Sequence, residues 1–281
     1  MDRLIAYRAN EPERLRASLL TERDVLFPDI TDEMLAIDAA GQGELSAEAQ
    51  QLLRWGVGYY IGGEPHVQRF AATLLQGLSA LKALRADVVL AQVGAPGTTS
   101  VPPYRYGRYL LALHGEVPRL DVQQSELTQA LPAFLHDNLR DHSAGERLLH
   151  LVCARLHEAE PEYLTDPNLS PEVAVAALAA VLHAVVGPIA GPQPAEKTLT
   201  MTMTNGDWLV VAQQGGPAIW YHPLAGVAEG ETRSESYRGL WALGQPTADV
   251  QATSMRGFKQ IPADHALLVG SDMTFQILPM A

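Results

Sequence analysis

The chain has 281 residues, 47% hydrophobic and 19% charged, which suffices for a sizeable core and excludes an intrinsically disordered chain. Thirty-two acidic against 20 basic residues leave a formal charge of −12. Such a surface repels a phosphate backbone, so nucleic acid is not an expected partner. The single cysteine, Cys153, forms no internal disulfide and gives no sign of an oxidising compartment.

The opening segment Leu4–Tyr7 suits a buried strand, and Glu11 to Leu20 a short helix. Asp38 to Gly43 reads as a loop, and Ser46 as the cap of a helix through Leu53. Trp55 to Ile61 alternates glycine with large residues, as in a strand approached closely by other backbone, and Gly62–Gly63 makes a turn. Val67 to Leu84 carries Phe70, Leu74, Leu78 and Leu81 at helical spacing. Val88 to Val93 is an apolar strand, the stretch 94–103 a Gly/Pro-rich loop, and Tyr106 to Leu113 a further strand. Helices are expected over Glu126–Asn138 and Ala144–Ala159, and another from Pro171, capped by Ser170, to just before Gly187.

Beyond the Pro-containing connector Gly191–Ala195 the pattern turns to strands. Asn205–Gly206 sits between alternating segments, a strong hairpin signal. Strands are expected at Ala218–His222, Leu240–Gly244, Ala266–Val269 and Met273–Leu278, the last after the turn Gly270–Asp272. Strands, then a helical block, then strands again favour α+β. Two mostly antiparallel sheets between helical layers, a four-layer αββα sandwich, would accommodate the order, with residues 1–281 as a single domain. The longest apolar stretch, Val173 to Ile189, is too short and too interrupted to span a bilayer. The N-terminus lacks the pattern of a signal peptide, so a cytoplasmic protein is expected.

Several stretches resemble class II glutamine amidotransferases, members of the N-terminal-nucleophile hydrolase superfamily. Arg3–Tyr7 is similar to the opening that follows their cysteine. Trp55-Gly56-Val57-Gly58-Tyr59-Tyr60 resembles their Gly-Trp-Gly-(Ile/Val)-Gly-Trp-Tyr segment. Pro103–Ala112 resembles their His-Pro-Phe strand, with Gly115-Glu116-Val117 where they carry Asn-Gly-Glu-Ile. Glu146 and its helix resemble the Thr-Asp-Ser-Glu helix, and Gln260-Ile261-Pro262 fits a Pro-containing turn near the end.

The resemblance implies a site, and the residues at its positions depart from the chemistry. Where the family has a cysteine nucleophile, with the free α-amine as base, this chain has Asp2. A carboxylate is a poor nucleophile toward an amide, and its charge opposes an oxyanion. Asp is not a small second residue, so Met1 is expected to stay. His114 replaces the oxyanion Asn, although Gly115 keeps its backbone N–H. Gly94, in Gln92-Val93-Gly94, replaces the Arg that holds the substrate carboxylate. Ala144 replaces the Asp that holds the substrate ammonium. Asp2, Arg3, Gly58, Gln92, Gly94, His114, Gly115 and Ala144 are therefore expected to line a vestigial pocket with no catalytic role.

His142, Glu146, His150, Cys153 and His157 fall within about 80° of one another on a helix. Such spacing can hold zinc, but a polar, solvated face with a half-buried Cys153 is the expectation. The loop at 94–97 lacks the Lys-Ser/Thr of a phosphate loop, and neither cofactor nor metal is expected. The reading is a catalytically inactive glutamine amidotransferase-like protein that acts as scaffold or regulatory subunit. Its expected partner is a protein, synthase-like or regulatory; self-association is possible, and a membrane is not a partner. Two alternatives stand beside it. One is a sensor of an amide or amino-acid-like ligand; the other is a hydrolase with replaced chemistry at Asp2 and His114.

Overall fold

A computed structural model of the chain describes residues 3–40, 46–47, 50–94, 101–115, 129, 131–140, 143–165, 170–186, 198–215, 219–229, 232–244 and 257–280. Asp2, His142, Glu116, Val117 and the connector Gly191–Ala195 lie outside them.

Among the described residues, thirteen strands build two antiparallel sheets. In the first, of seven strands, β1 (Arg3–Ala9) lies between β4 (Val88–Gly94) and β10 (Thr232–Gly244). β2 (Leu53–Ile61) and β3 (Glu64–Ala72) extend it on one side, β9 (Ile219–Glu229) and β11 (Lys259–Gln260) on the other. The second, of six strands, runs β13 (Phe275–Pro279), β12 (His265–Val269), β8 (Leu209–Gln214), β7 (Leu199–Thr204), β6 (Tyr109–Gly115), β5 (Tyr104–Tyr106).

Alternation along each strand sorts side chains into three cores. Ile5 and Tyr7 of β1 pack outward with Trp55, Trp241 and the helices α1 (Leu15–Thr21), α2 (Arg23–Leu26), α3 (Asp32–Ala40) and α4 (Leu74–Lys82). Leu4 and Ala6 pack inward with Leu90, Leu110, Ala112 and Val211, between the sheets. Met201, Met203 and Val210 pack against α6 (Ala144–Ala159) and α7 (Pro171–Val186) on the far face. The expected four-layer αββα sandwich is thus the fold observed.

Local signals account for most element ends. Ser143 caps α6, accepting from the Glu146 backbone N–H at 3.2 Å, and α7 spans Pro171–Val186 as the sequence indicates. Asn205–Gly206 closes the β7–β8 hairpin, with Asn205 Oδ1 accepting from the N–H groups of Asp207 and Trp208 at 2.9 and 3.2 Å.

Some expectations fail for physical reasons. The long helix over Val67–Leu84 is two elements, β3 and α4. Its periodicity came from Phe70, which stacks on Trp55 at 6.2 Å from the strand side, and from Leu74, Leu78 and Leu81, which lie in α4. Thr73 and Gln76 form a capping box at the boundary, a Thr-x-x-Gln signal overridden by the apolar spacing. The helix from Ser46 does not reach Leu53, which opens β2 and turns Leu53, Trp55 and Val57 toward one core. Asp38 to Ala40, expected in a loop, end α3. The strand at Tyr106–Leu113 is a β5–β6 hairpin turning at Gly107, whose φ is +54°. Of the helix at Glu126–Asn138, the four-residue α5 (Ala133–His136) is described.

Candidate functional site

The expected site lies at the end of the inter-sheet space where β1 begins. Gln92 pairs in register with Leu4 on one side and Gly56 on the other. It belongs to the inward series of β4 that includes Val88 and Leu90. His114 continues the inward series Leu110 and Ala112 of β6 and pairs with Thr200 of β7. Its ring bridges the space to the first sheet: a Cβ built on Gly244 would meet His114 Cγ at 3.0 Å and Nδ1 at 3.1 Å. The glycine at 244 therefore makes room for the imidazole.

β7 reads Leu-Thr-Met-Thr-Met-Thr, with its methionines in the far core and Thr200, Thr202 and Thr204 fully buried. The threonines share the inward face with His114. Thr204 Oγ1 donates to the Trp208 carbonyl, whereas the hydroxyls of Thr200 and Thr202 have no hydrogen-bond partner among the described residues. Gln213, which pairs with Thr200, donates through Nε2 to the carbonyls of Ile261 and Pro262 at 2.7 and 2.8 Å, and its Oε1 accepts from the Ile219 N–H at 3.1 Å. It fastens the turn before β12 to the sheet. Sequence reasoning missed Thr200, Thr202, Gln213 and Gly244. A strand with both faces buried that still alternates threonine with methionine was the available signal.

The structure gathers only part of the expected set. Gln92, Gly94 and His114 share the inward face, and Gly115 ends β6 with φ at +110°, where a Cβ would lie 2.0 Å from the Thr198 carbonyl oxygen. Gly58 is inward too, but its face is covered: a Cβ there would meet Pro103 at 2.6 Å and Leu110 at 2.9 Å. Arg3 and Ala144 do not join them. Arg3 is on the outward face of β1, donating to the Leu26 carbonyl and to Asp29 at 2.9 Å, with its guanidinium over Phe27. One residue of strand phase separates it from Leu4, which is why proximity in sequence misled. Ala144 opens α6 beneath the other sheet, against the far core. Among the described residues, the polar side chains on these inward faces, Gln92, His114, Thr200, Thr202 and Gln213, include no carboxylate, guanidinium or ammonium.

The face of α6 also differs from expectation. It is covered by the segment 131–140. Glu146 Oε1 accepts from the Arg140 N–H at 2.8 Å, and His150 Nδ1 donates to the Leu135 carbonyl at 2.8 Å. His150 also meets the Tyr106 ring edge-on at 4.8 Å, and His157 meets Phe134 at 5.0 Å. Cys153 is fully buried rather than half-buried. Among the described residues no three His, Cys, Asp or Glu side chains are placed to hold a metal ion.

Two expected results follow from this packing. Burial pushes the Cys153 thiol well above its ordinary range, which suppresses the reactive thiolate. A thiol reagent at neutral pH should label the native protein at less than about a hundredth of the rate seen in denaturant; equal rates would contradict the placement. Burial also lowers the pKa of His150. A depressed folded value means that the unfolded chain takes up the proton first. Stability contributed by neutral His150 is present above pH of about 6.5 and is lost as pH falls through the lower folded value. His150→Gln should therefore show a shallower fall in melting temperature between pH 7 and pH 5 than the parent protein.

No protein-family profile matches the chain, and no curated protein matches it. Solved structures do. A glutamine aminotransferase class-II domain protein from Silicibacter pomeroyi superposes with a TM-score of 0.56 at 14% identity, covering 99% of each chain. A predicted glutamine amidotransferase from Pseudomonas aeruginosa gives 0.51 at 11% identity, covering 99% of this chain and 96% of that one. The glutamine phosphoribosylpyrophosphate amidotransferase of B. subtilis gives 0.53 at 11% identity; this chain is covered over 99% of its length but spans about half (49%) of that enzyme. Identity this low speaks for the backbone and not for the chemistry. The two sheets and their helical layers are those of the class II glutamine amidotransferases, and that fold is what the chain shares with them.

Proposed function

We propose that this protein is a glutamine amidotransferase-like protein that does not hydrolyse glutamine and acts through a protein partner as a scaffold or regulatory subunit. The observation that carries the reading is the place of the only thiol. Cys153 lies in the helical layer outside the second sheet, closed in by Leu149, Val152 and Leu156, and the residue that precedes β1 is Asp2. Amide cleavage through a thioester needs a thiolate beside the scissile carbonyl. Further support comes from the carboxylate anchor. Gly94 offers no cation for a substrate carboxylate, and such charge-assisted contacts are strong where they exist.

The test of the partner role is purification of the tagged protein from its native cell at endogenous level. A stoichiometric partner whose own activity changes when this chain is removed is the expected result. A chain that runs alone, and whose removal alters no co-purifying activity, would contradict it.

A second reading is favoured by the hydroxyls of Thr200 and Thr202, which have no partner among the described residues. Buried polar atoms normally find partners, and a small neutral amide could supply them beside Gln92 and His114. A melting-temperature rise with simple carboxamides, abolished by Thr200→Val, is the result expected of this reading. No rise with any carboxamide would dismiss it.

A further inference from the structure

A cleft of about 410 Å³ opens at the end of the sandwich opposite the site above. It is walled by the β2–β3 turn (Ile61, Gly62, Gly63), the β7–β8 turn (Asn205–Asp207) and the α4–β4 connection (Arg85–Asp87). The position of these elements follows from register: Leu4 of β1 pairs with Gln92, and Arg8, four residues on, with Val88. The two sites are therefore on the order of 13 Å or more apart along the strands.

Buried polar clamps brace the walls. Arg8 is 4% exposed. Its guanidinium donates to the carbonyls of Gly206, Asp207 and Gly270 at 2.8, 2.5 and 3.1 Å. The Tyr60 hydroxyl lies 2.7 Å from the Arg108 carbonyl and 2.9 Å from that of Thr204. Arg108 reaches the Asn205 carbonyl and pairs with Asp207 at 2.9 Å. The hairpin turns are thus cross-linked to β1 and β2 before any ligand arrives, which lowers the ordering cost of binding.

Arg85 is the uncommitted group. It lines the cleft, is exposed, and makes no hydrogen bond or ion pair among the described residues. The other charges are answered within the wall: Asp207 by Arg108, and Asp87, with Asp207, by the field of Arg8. (Asp272, outside the cleft, also acts on Arg8.) Within the lining two guanidiniums, Arg85 and Arg108, stand against two carboxylates, Asp87 and Asp207; with Asp207 paired to Arg108, Arg85 is the guanidinium left for a ligand. Pro12, Ile61 and Ala86 add apolar surface. The volume lies within the range of small-molecule sites.

The geometry points to a binding site for a small organic carboxylate, its anionic group on Arg85 and its apolar stem against Pro12, Ile61 and Ala86. One uncommitted guanidinium suits a monoanion better than a phosphate dianion. This site is independent of the glutaminase question, because it shares no residue with the other end of the fold.

The test is calorimetric titration of the full chain with a panel of N-acetyl amino acids and short aliphatic carboxylates. Matching uncharged amides and inorganic phosphate serve as the other arms. Saturable binding of at least one carboxylate, absent for its amide, is expected. Arg85→Ala should weaken it about tenfold or more, as loss of a charge-assisted contact does, while Arg85→Lys retains part of it. The melting temperature of the ligand-free Arg85→Ala protein should match the parent, because the side chain is exposed, which separates loss of binding from loss of folding. Three outcomes would overturn the proposal: no carboxylate binds, binding survives Arg85→Ala unchanged, or phosphate and not the carboxylates is the ligand.

Discussion

Arg8→Met should destabilise the protein by about 3–5 kcal/mol, the cost of leaving several buried acceptors without their donor. The side chain volume is kept, but the carbonyls of Gly206, Asp207 and Gly270 lose the guanidinium that ties the β7–β8 turn and the turn before β13 to the central strand β1. Burial pushes the Arg8 pKa down from its ordinary value, yet an arginine starts so high that it stays charged near neutral pH. A chain of this size should lose about 10 °C of melting temperature. Chemical denaturation of both proteins measures the difference, and a change below about 1 kcal/mol would show that the clamp is not needed.

Gly56→Ala should cost about 3 kcal/mol or more, at the upper end of overpacking effects. A Cβ at this position would stand 1.8 Å from the Pro102 carbonyl oxygen, backbone against backbone, so that no rotamer change relieves it. The segment 101–103 would have to lift from β2, exposing the inward face shared with Gln92. Gly58→Ala is the internal comparison. Its Cβ meets the side chains of Pro103 and Leu110 at 2.6 and 2.9 Å, which can give slightly, so the loss should be smaller. Equal effects, or a larger one at 58, would contradict this packing.

These glycines illustrate how much the sequence disclosed. The alternation Trp55-Gly56-Val57-Gly58 announces a strand under close approach, and the structure supplies the approaching segment. Near-continuous apolar runs at Leu4–Tyr7 and Val88–Val93 place the strands without their faces, because one sheet face meets helices and the other meets the partner sheet. The failure at Val67–Leu84 has a physical origin: a strand and a helix that share one hydrophobic wall imitate a single helix. Site residues were less legible. Which face a residue takes depends on strand phase, so Arg3 and Leu4 part company although adjacent. Ala144 lies in the layer beyond the second sheet, a separation that no spacing in the chain reveals. Thr200, Thr202 and Gly244 acquire meaning only when β7 and β10 are brought opposite each other across the sandwich.

Release of ammonium from glutamine by the purified 281-residue chain is the most direct measure of the central proposal, that an amidotransferase fold here carries no glutaminase chemistry. The account expects no release above the protein-free rate at any glutamine concentration. It also expects no restoration in Asp2→Cys alone, because Gly94 would still fail to hold the substrate carboxylate. Ammonium that accumulates in proportion to the amount of unmodified protein would contradict it.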